Sequence, residues 1–184
     1  MQVYRVFPWN LIARSDELGG PLYVARFKQG QGRHDIPDLD GVLYCSLRAT
    51  SAVCEFLQAF RGQTLTPAHF VRPDGLFISL VEFRLHASAR LIDLDDPDVL
   101  TKMKIRPSEV LTRNRDVTRN IAERIYTDAN DGLLWPSAIE ASWMNITLFA
   151  SRIRGKLIVS QIRKLTVGLQ EVIEAAKLLG ISTQ

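Results

Sequence analysis

The chain has 184 residues, 46% of them hydrophobic and 23% charged, with a mean hydropathy of zero. These are globular proportions, long enough for one core that hides roughly 70% of the unfolded surface and too short for two comfortable domains. Lys and Arg number 23 against 20 Asp and Glu, a net charge of +3, so a pI of 9.0 does not by itself point to direct nucleic-acid binding. The longest apolar stretches, such as residues 76–81, fall far short of the roughly 18 residues that span a membrane. Met1-Gln2-Val3-Tyr4-Arg5 has no basic run followed by an apolar one, so the expectation is a cytoplasmic protein without a secretion signal.

In chain order, residues 3–7 alternate weakly and predict a first strand. A polar loop with Gly19-Gly20-Pro21 leads to a predicted second strand at 22–27. Residues 28–40 carry Gly30, Gly32, Pro37 and clustered charge, which predicts a loop, and 41–47 predict a strand. The clearest helix is 50–60. Thr50 or Ser51 can cap it, Val53, Phe56, Leu57 and Phe60 give it one apolar face, and Gly62 stops it.

Strands follow at 76–85 and 90–94, the second ending at Asp95-Asp96-Pro97, then a short helix at 99–103. Another helix starts at Asp116 or Thr118 and runs to about 129, with Ile121, Ala122 and Ile125 inward. Asp131-Gly132 turns the chain into apolar residues 133–137, and strands are expected at 145–150, 156–159 and 164–167. Residues 168–179 close the chain as an amphipathic helix, with Leu169, Val172, Ile173, Ala176 and Leu179 facing its own core. The mixture predicts a single α+β domain over 1–184 with a largely antiparallel sheet and flanking helices.

Cys45 and Cys54 have no partner pair for a zinc site and read as reduced packing residues. His34, His69 and His86 lie far apart in sequence, so no metal is expected. Four places carry potential chemistry. In Gly30-Gln31-Gly32-Arg33-His34-Asp35 the glycines allow close approach of backbone to a ligand and the arginine can fork onto phosphate or carboxylate, although the spacing is neither a Walker loop nor a dinucleotide fingerprint. The plainer reading is a surface turn. Glu55 sits mid-helix at the edge of the apolar face, either a carboxylate held for chemistry or a border residue reaching solvent. Ser137, between Pro136 and Ala138, lacks the G-x-S-x-G elbow of a hydrolase and is a candidate hydrogen-bond donor to a ligand. Arg113, Arg115, Arg119 and Arg124 alternate with Asp116, Glu123 and Asp128 and read as a solvated helix face.

Taken in order, Tyr4-Arg5, Gly32-Arg33-His34-Asp35, Gly41-Val42-Leu43-Tyr44, Glu55 eleven residues after Tyr44, Trp135-Pro136-Ser137 and Asn145-Ile146-Thr147-Leu148-Phe149 resemble the RES domain family, over about residues 3–150. The resemblance implies an ADP-ribosyltransferase-like fold with NAD+ as substrate, cleavage of its nicotinamide–ribose bond by water or phosphate, and a role as a growth-stopping toxin. It implies a helix-turn-helix antitoxin as protein partner, through which a complex would reach DNA, and it allows a homo-oligomer within that complex. Carried over residue by residue, Arg5 and Arg33 match the substrate-binding arginines, Tyr44 the ring over nicotinamide, Glu55 the catalytic acid and Ser137 a polar contact.

Chemistry agrees with these roles. Arginine forks suit a pyrophosphate, a carboxylate stabilises an oxocarbenium-like cation, and an aromatic face stacks on a cationic ring for on the order of 0.5–2 kcal/mol. The chain departs from the family in having Gln31-Gly32 for the double glycine and His34-Asp35 for Trp-Asn, which reads as a branch of the family. His34 is a candidate base or a structural loop residue, and Arg26 a second candidate for a phosphate contact. Two alternatives stay open: ADP-ribose transfer to a macromolecule, and a catalytically silent NAD+-binding module.

Overall fold

The computed structural model describes residues 1–184. Its elements in chain order are β1 (Gln2–Trp9), β2 (Val42–Ser46), α1 (Ala49–Leu57), β3 (Thr64–Leu65), β4 (Phe77–Leu85), β5 (Leu91–Asp93), α2 (Pro97–Met103), α3 (Pro107–Leu111), α4 (Arg115–Thr127), β6 (Gly132–Pro136), β7 (Met144–Phe149), β8 (Leu157–Lys164), α5 (Gln170–Leu179) and β9 (Ser182–Thr183). Short 3-10 turns stand at Arg26–Lys28, Gln58–Phe60 and Pro67–Phe70. Seven strands follow the hydrogen-bonded order β5-β6-β7-β2-β1-β4-β8, and β3 pairs with β9 in a separate ribbon. The fold is α+β with a mostly antiparallel sheet, as the sequence predicts. The chain divides into two compact units.

The first unit comprises Met1–Tyr23, Cys45–Arg84 and Ile158–Gln184. β1 lies antiparallel to β4 along its whole length, from Gln2 opposite Arg84 to Trp9 opposite Phe77, and meets the end of β2 at Tyr4 opposite Ser46. α1 packs on β1 and on α5. The buried residues of the two helices are small, Ser51, Ala52 and Cys54 on one and Ala175 and Ala176 on the other, beside Val53, Leu57 and Val172. Small side chains let helix backbones approach closely. The C-terminus is fastened by β9, parallel to β3, and by the Gln184 amide donating to the Leu65 carbonyl.

The second unit comprises Val24–Tyr44 and Leu85–Leu157. β5 runs parallel to β6, and β6 antiparallel to β7, with Gly132 opposite Leu148 and Pro136 opposite Met144. α4 presents the expected apolar face, burying Ile121, Ala122 and Ile125 in one core with Leu94, Leu100, Leu133 and Phe149. Asn114, two residues before the predicted start, caps this helix by accepting the Asp116 amide. The buried Asp131 carboxylate takes Lys156 Nζ at 2.9 and 2.8 Å and the Arg90 amide at 2.7 Å, pinning the start of β6.

Four readings are corrected. Residues 22–27 form turns and a 3-10 helix because the Arg5 guanidinium takes the Pro21 and Tyr23 carbonyls, which strand pairing would otherwise use. The two strands expected at 156–159 and 164–167 are the single strand β8, after which the Leu165 amide bonds to the Ile78 carbonyl. Ile173 lies 46% exposed on α5, while Ala175 takes an inward position. Helix α3 was not expected. Pro107 at its first turn and the Glu109 carboxylate on the Arg106 amide start it.

Candidate functional site

The second unit gathers Arg33, His34, Asp35 and Tyr44 around one buried carboxylate. Asp35 Oδ2 accepts the amides of Gly30, Gln31 and Gly32 at 2.7, 3.0 and 2.6 Å. Its Oδ1 accepts the Tyr44 hydroxyl at 2.8 Å, and the same hydroxyl accepts the His34 amide at 2.8 Å. The loop therefore curls around its own anion. Gly30 supplies the left-handed turn at φ 101°, and Gly32 has no room for a side chain, since an added Cβ would collide with Tyr44 Oη and the Asp35 carboxyl. The amides of Gly30, Gln31 and Gly32 are thus occupied from within the loop.

Arg119, expected on a solvated face, instead donates to the carbonyls of Gly30 and Gly32, and the Thr118 hydroxyl donates to the Arg33 carbonyl. The first turns of α4 therefore clamp the loop. Arg33 Nη1 donates to the carbonyls of Val110 and Thr112 at 3.0 and 2.8 Å, and its guanidinium lies 5.3 Å from the Trp135 ring centroid. Arg26 braces the same segment through the Pro37 carbonyl and Asp40.

His34 is 1% exposed. Its ring stacks toward Tyr44 and meets Trp135 edge-on at 5.2 Å. Nδ1 lies 2.9 Å from Thr147 Oγ1, which also accepts Trp135 Nε1 at 3.1 Å. Indole only donates, so Thr147 Oγ1 accepts from Trp135, and the direction of its bond with His34 Nδ1 follows the imidazole tautomer. Burial, followed by the charges of Arg33 and Arg115, pushes the His34 pKa down to about 3. It is a neutral imidazole at neutral pH, and the structural reading of His34 fits better than that of a base titrating near 7. Burial and then the Asp35 charge raise the Tyr44 phenol above its ordinary range, so Tyr44 offers a ring and no mobile proton.

Ser137, at the end of β6, is buried; its amide donates to the Trp143 carbonyl and its Oγ accepts the Ile139 amide at 3.1 Å. An apolar cavity of about 250 Å³, lined by Leu94, Leu100, Ile105, Val110 and Pro136 among others, lies in this unit as well. It lacks the convergent polar groups of a reaction centre.

Arg5 and Glu55 belong to the first unit. Arg5 on β1 is half-buried, and its Nη1 and Nη2 donate to the Pro21 and Tyr23 carbonyls at 2.7 and 3.1 Å. Glu55 is exposed on α1, where Gln58 Nε2 donates to its Oε2 at 3.0 Å. The side chain points away from the buried set Val53, Cys54 and Leu57, so solvent is the environment of this carboxylate within its own helix. No group of three His, Cys, Asp or Glu side chains stands where it could hold a metal ion. No helix is long and apolar enough to cross a membrane.

Reading by residue type missed Thr147, Asp35 and Trp135 as parts of this network. The available signal was Thr147 and Asn145 on an otherwise apolar strand, because a polar side chain on a buried strand has to find a partner.

The class is an α+β protein whose mostly antiparallel sheet carries a clamped arginine loop over buried aromatic rings. The crystal structure of the M. tuberculosis MbcT–MbcA toxin–antitoxin complex has this fold, with a TM-score of 0.67 over 97% of this chain and 88% of that chain, at 14% sequence identity. No curated protein sequence matches the chain. The RES domain family model matches residues 3–168, and the chain belongs to the RES domain family.

Proposed function

We propose that the chain is an NAD+-degrading enzyme that acts as the toxin of a toxin–antitoxin pair in the cytoplasm. Family membership over residues 3–168 is the observation that carries the reading. A solved toxin–antitoxin complex of the same fold supports an antitoxin as partner, and the family resemblance suggests one of the helix-turn-helix kind.

Roles follow residue by residue. Arg33, its charge held against Trp135 by two carbonyls, meets the pyrophosphate. Tyr44, its hydroxyl engaged with Asp35 and the His34 amide, presents its ring to the cationic nicotinamide. Arg5 is the second substrate-binding arginine, and Ser137 offers its hydroxyl hydrogen as a polar contact. Glu55 stabilises the cation that develops at the ribose carbon as the C–N bond breaks and its electron pair leaves on the nicotinamide nitrogen. Water or phosphate then bonds to that carbon. No metal takes part.

The test is to follow nicotinamide release from NAD+ by NMR, with and without phosphate in the buffer. Release that depends on phosphate identifies a phosphorylase, and release without it a glycohydrolase. A folded protein that releases none in either buffer contradicts the reading.

A further inference from the structure

β8 is a terminal strand of the seven-stranded sheet. It bonds to β4 on one side, and no loop or turn supplies backbone partners to its other edge. Such an edge is a template for a further strand, and proteins usually blunt it with short length, proline or charge. The sheet's other terminal strand, β5, has three residues. β8 has eight, Leu-Ile-Val-Ser-Gln-Ile-Arg-Lys, with no proline or glycine and charge only at its last two positions. Ile158 is 44% exposed, and Ser160 and Gln161 are exposed beside it.

The register with β4 decides which backbone groups face outward. The Leu165 amide, just past the strand end, donates to the Ile78 carbonyl at 2.9 Å. Lys164 therefore shares a face with Ser79 and Phe77, and its Nζ lies 3.5 Å from the Phe77 ring centroid, as that register requires. By alternation, the amides and carbonyls of Arg163 and Gln161 turn toward β4. Those of Ile162, Ser160 and Ile158 turn away from it.

About Ser160 the strand is also self-complementary. Ile158 and Ile162 stand two residues to either side, on the same face as Ser160. Two copies of β8 set antiparallel about a two-fold axis at Ser160 bring the two Ser160 residues opposite each other and each Ile158 opposite an Ile162. The facing residues are those whose backbone groups already point outward, so the ladder closes without a shift of register. An unrelated strand matches this pattern only by coincidence, whereas a second copy matches it by symmetry. The cations at the margin are already engaged. Lys156, which falls opposite Lys164, holds the Asp131 carboxylate, and Arg163 is paired with Glu171.

We propose that the open edge of β8 pairs antiparallel with β8 of a second copy of this chain, about a two-fold axis at Ser160. The sheets of the two copies then run on through the contact. This pairing stands on the sheet alone and is independent of the NAD+-cleaving reading.

Sedimentation velocity over about 1–100 μM compares the wild type with Ser160→Pro and Ile158→Glu. Ser160→Pro removes an outward amide that β4 does not use, so circular dichroism and melting temperature should stay near those of the wild type. Ile158→Glu puts a carboxylate opposite Ile162 and keeps every backbone donor. The expected result is a wild-type dimer whose dissociation constant rises about tenfold or more in both variants. Ser160→Cys should form a covalent dimer on mild oxidation, because facing residues of a bonded pair lie about 5.5 Å apart at Cα, within disulfide reach. Cys45 and Cys54 are buried and do not compete.

A wild type that stays monomeric at every concentration overturns the proposal. So does a dimer that both Ser160→Pro and Ile158→Glu leave intact, or one in which Ser160→Cys fails to cross-link, since that dimer uses another surface. If Ser160→Pro does not fold, Ile158→Glu and the cross-link decide.

Discussion

The Tyr44 hydroxyl and the Asp35 carboxylate are joined at 2.8 Å, and this one bond decides what each residue can do. Asp35 is held as the internal anion of its loop, and Tyr44 is left with an aromatic face and no proton to give. Tyr44→Phe keeps that face, deprives Asp35 of a donor and strands the His34 amide, at a cost of about 1–3 kcal/mol. The expected outcome is a lower melting temperature with nicotinamide release retained within about tenfold, whereas Tyr44→Ala loses release. A folded Tyr44→Phe protein with no activity would show that the hydroxyl takes part in the chemistry.

Gly32 is the tightest point of the same network. A methyl group there must displace the Tyr44 hydroxyl or the Asp35 carboxyl, each held by other bonds. Gly32→Ala is expected to destabilise the protein by about 1–3 kcal/mol, read as a shifted midpoint in urea. Gly30→Ala tests the other requirement, since its neighbourhood is open and only the positive φ opposes a side chain. Wild-type stability in Gly32→Ala would mean that the loop does not pack as described.

Much of the fold was legible because periodicity reports burial. Ile121, Ala122 and Ile125 show one face to a core and leave a repeating signal. The failures share a different cause. Residues 22–27 have strand-like composition, but Arg5 takes the Pro21 and Tyr23 carbonyls, 16 and 18 residues further along the chain. Arg119 looks like any solvent-facing arginine until the fold brings it to Gly30 and Gly32. For the candidate site, motif order nominates Arg33, Tyr44, Glu55 and Ser137. It could not show that Asp35 would fill the loop's amides, because that depends on where a side chain turns after the chain has folded.

His34 makes stability depend on pH. Its folded pKa of about 3 lies below the unfolded value of 6.5, so the unfolded chain binds a proton that the native state refuses. Stability from this residue is fully present above the unfolded value and is lost as pH falls toward 3. Between 6.5 and about 5, ahead of most carboxylates, the loss is about 2 kcal/mol. His34→Gln is expected to flatten this part of the profile, measured by urea unfolding at several pH values. An unchanged slope would mean that folding does not shift the proton affinity of His34.

Burial pushes the Cys45 thiol up to about 12, with the nearby Arg5 charge opposing it, and the Cys54 thiol up to about 11. Both cysteines are free and buried. Neither should react with a thiol-specific alkylating reagent near pH 8 while the protein is folded, and both should react in denaturant. Mass spectrometry distinguishes the two states. Fast labelling of the native protein would contradict the packing of β2 and α1.

Glu55 is the proposed catalytic carboxylate of NAD+ cleavage. Its most direct test compares nicotinamide release by the wild type and by Glu55→Ala, with folding of both verified by circular dichroism. Glu55 is exposed and its helix buries other residues, so the variant should fold. The expected result is release by the wild type and a fall of about a hundredfold or more in the variant. Equal release by both would remove Glu55 from the chemistry, and no release by a folded wild type would contradict the proposed activity itself.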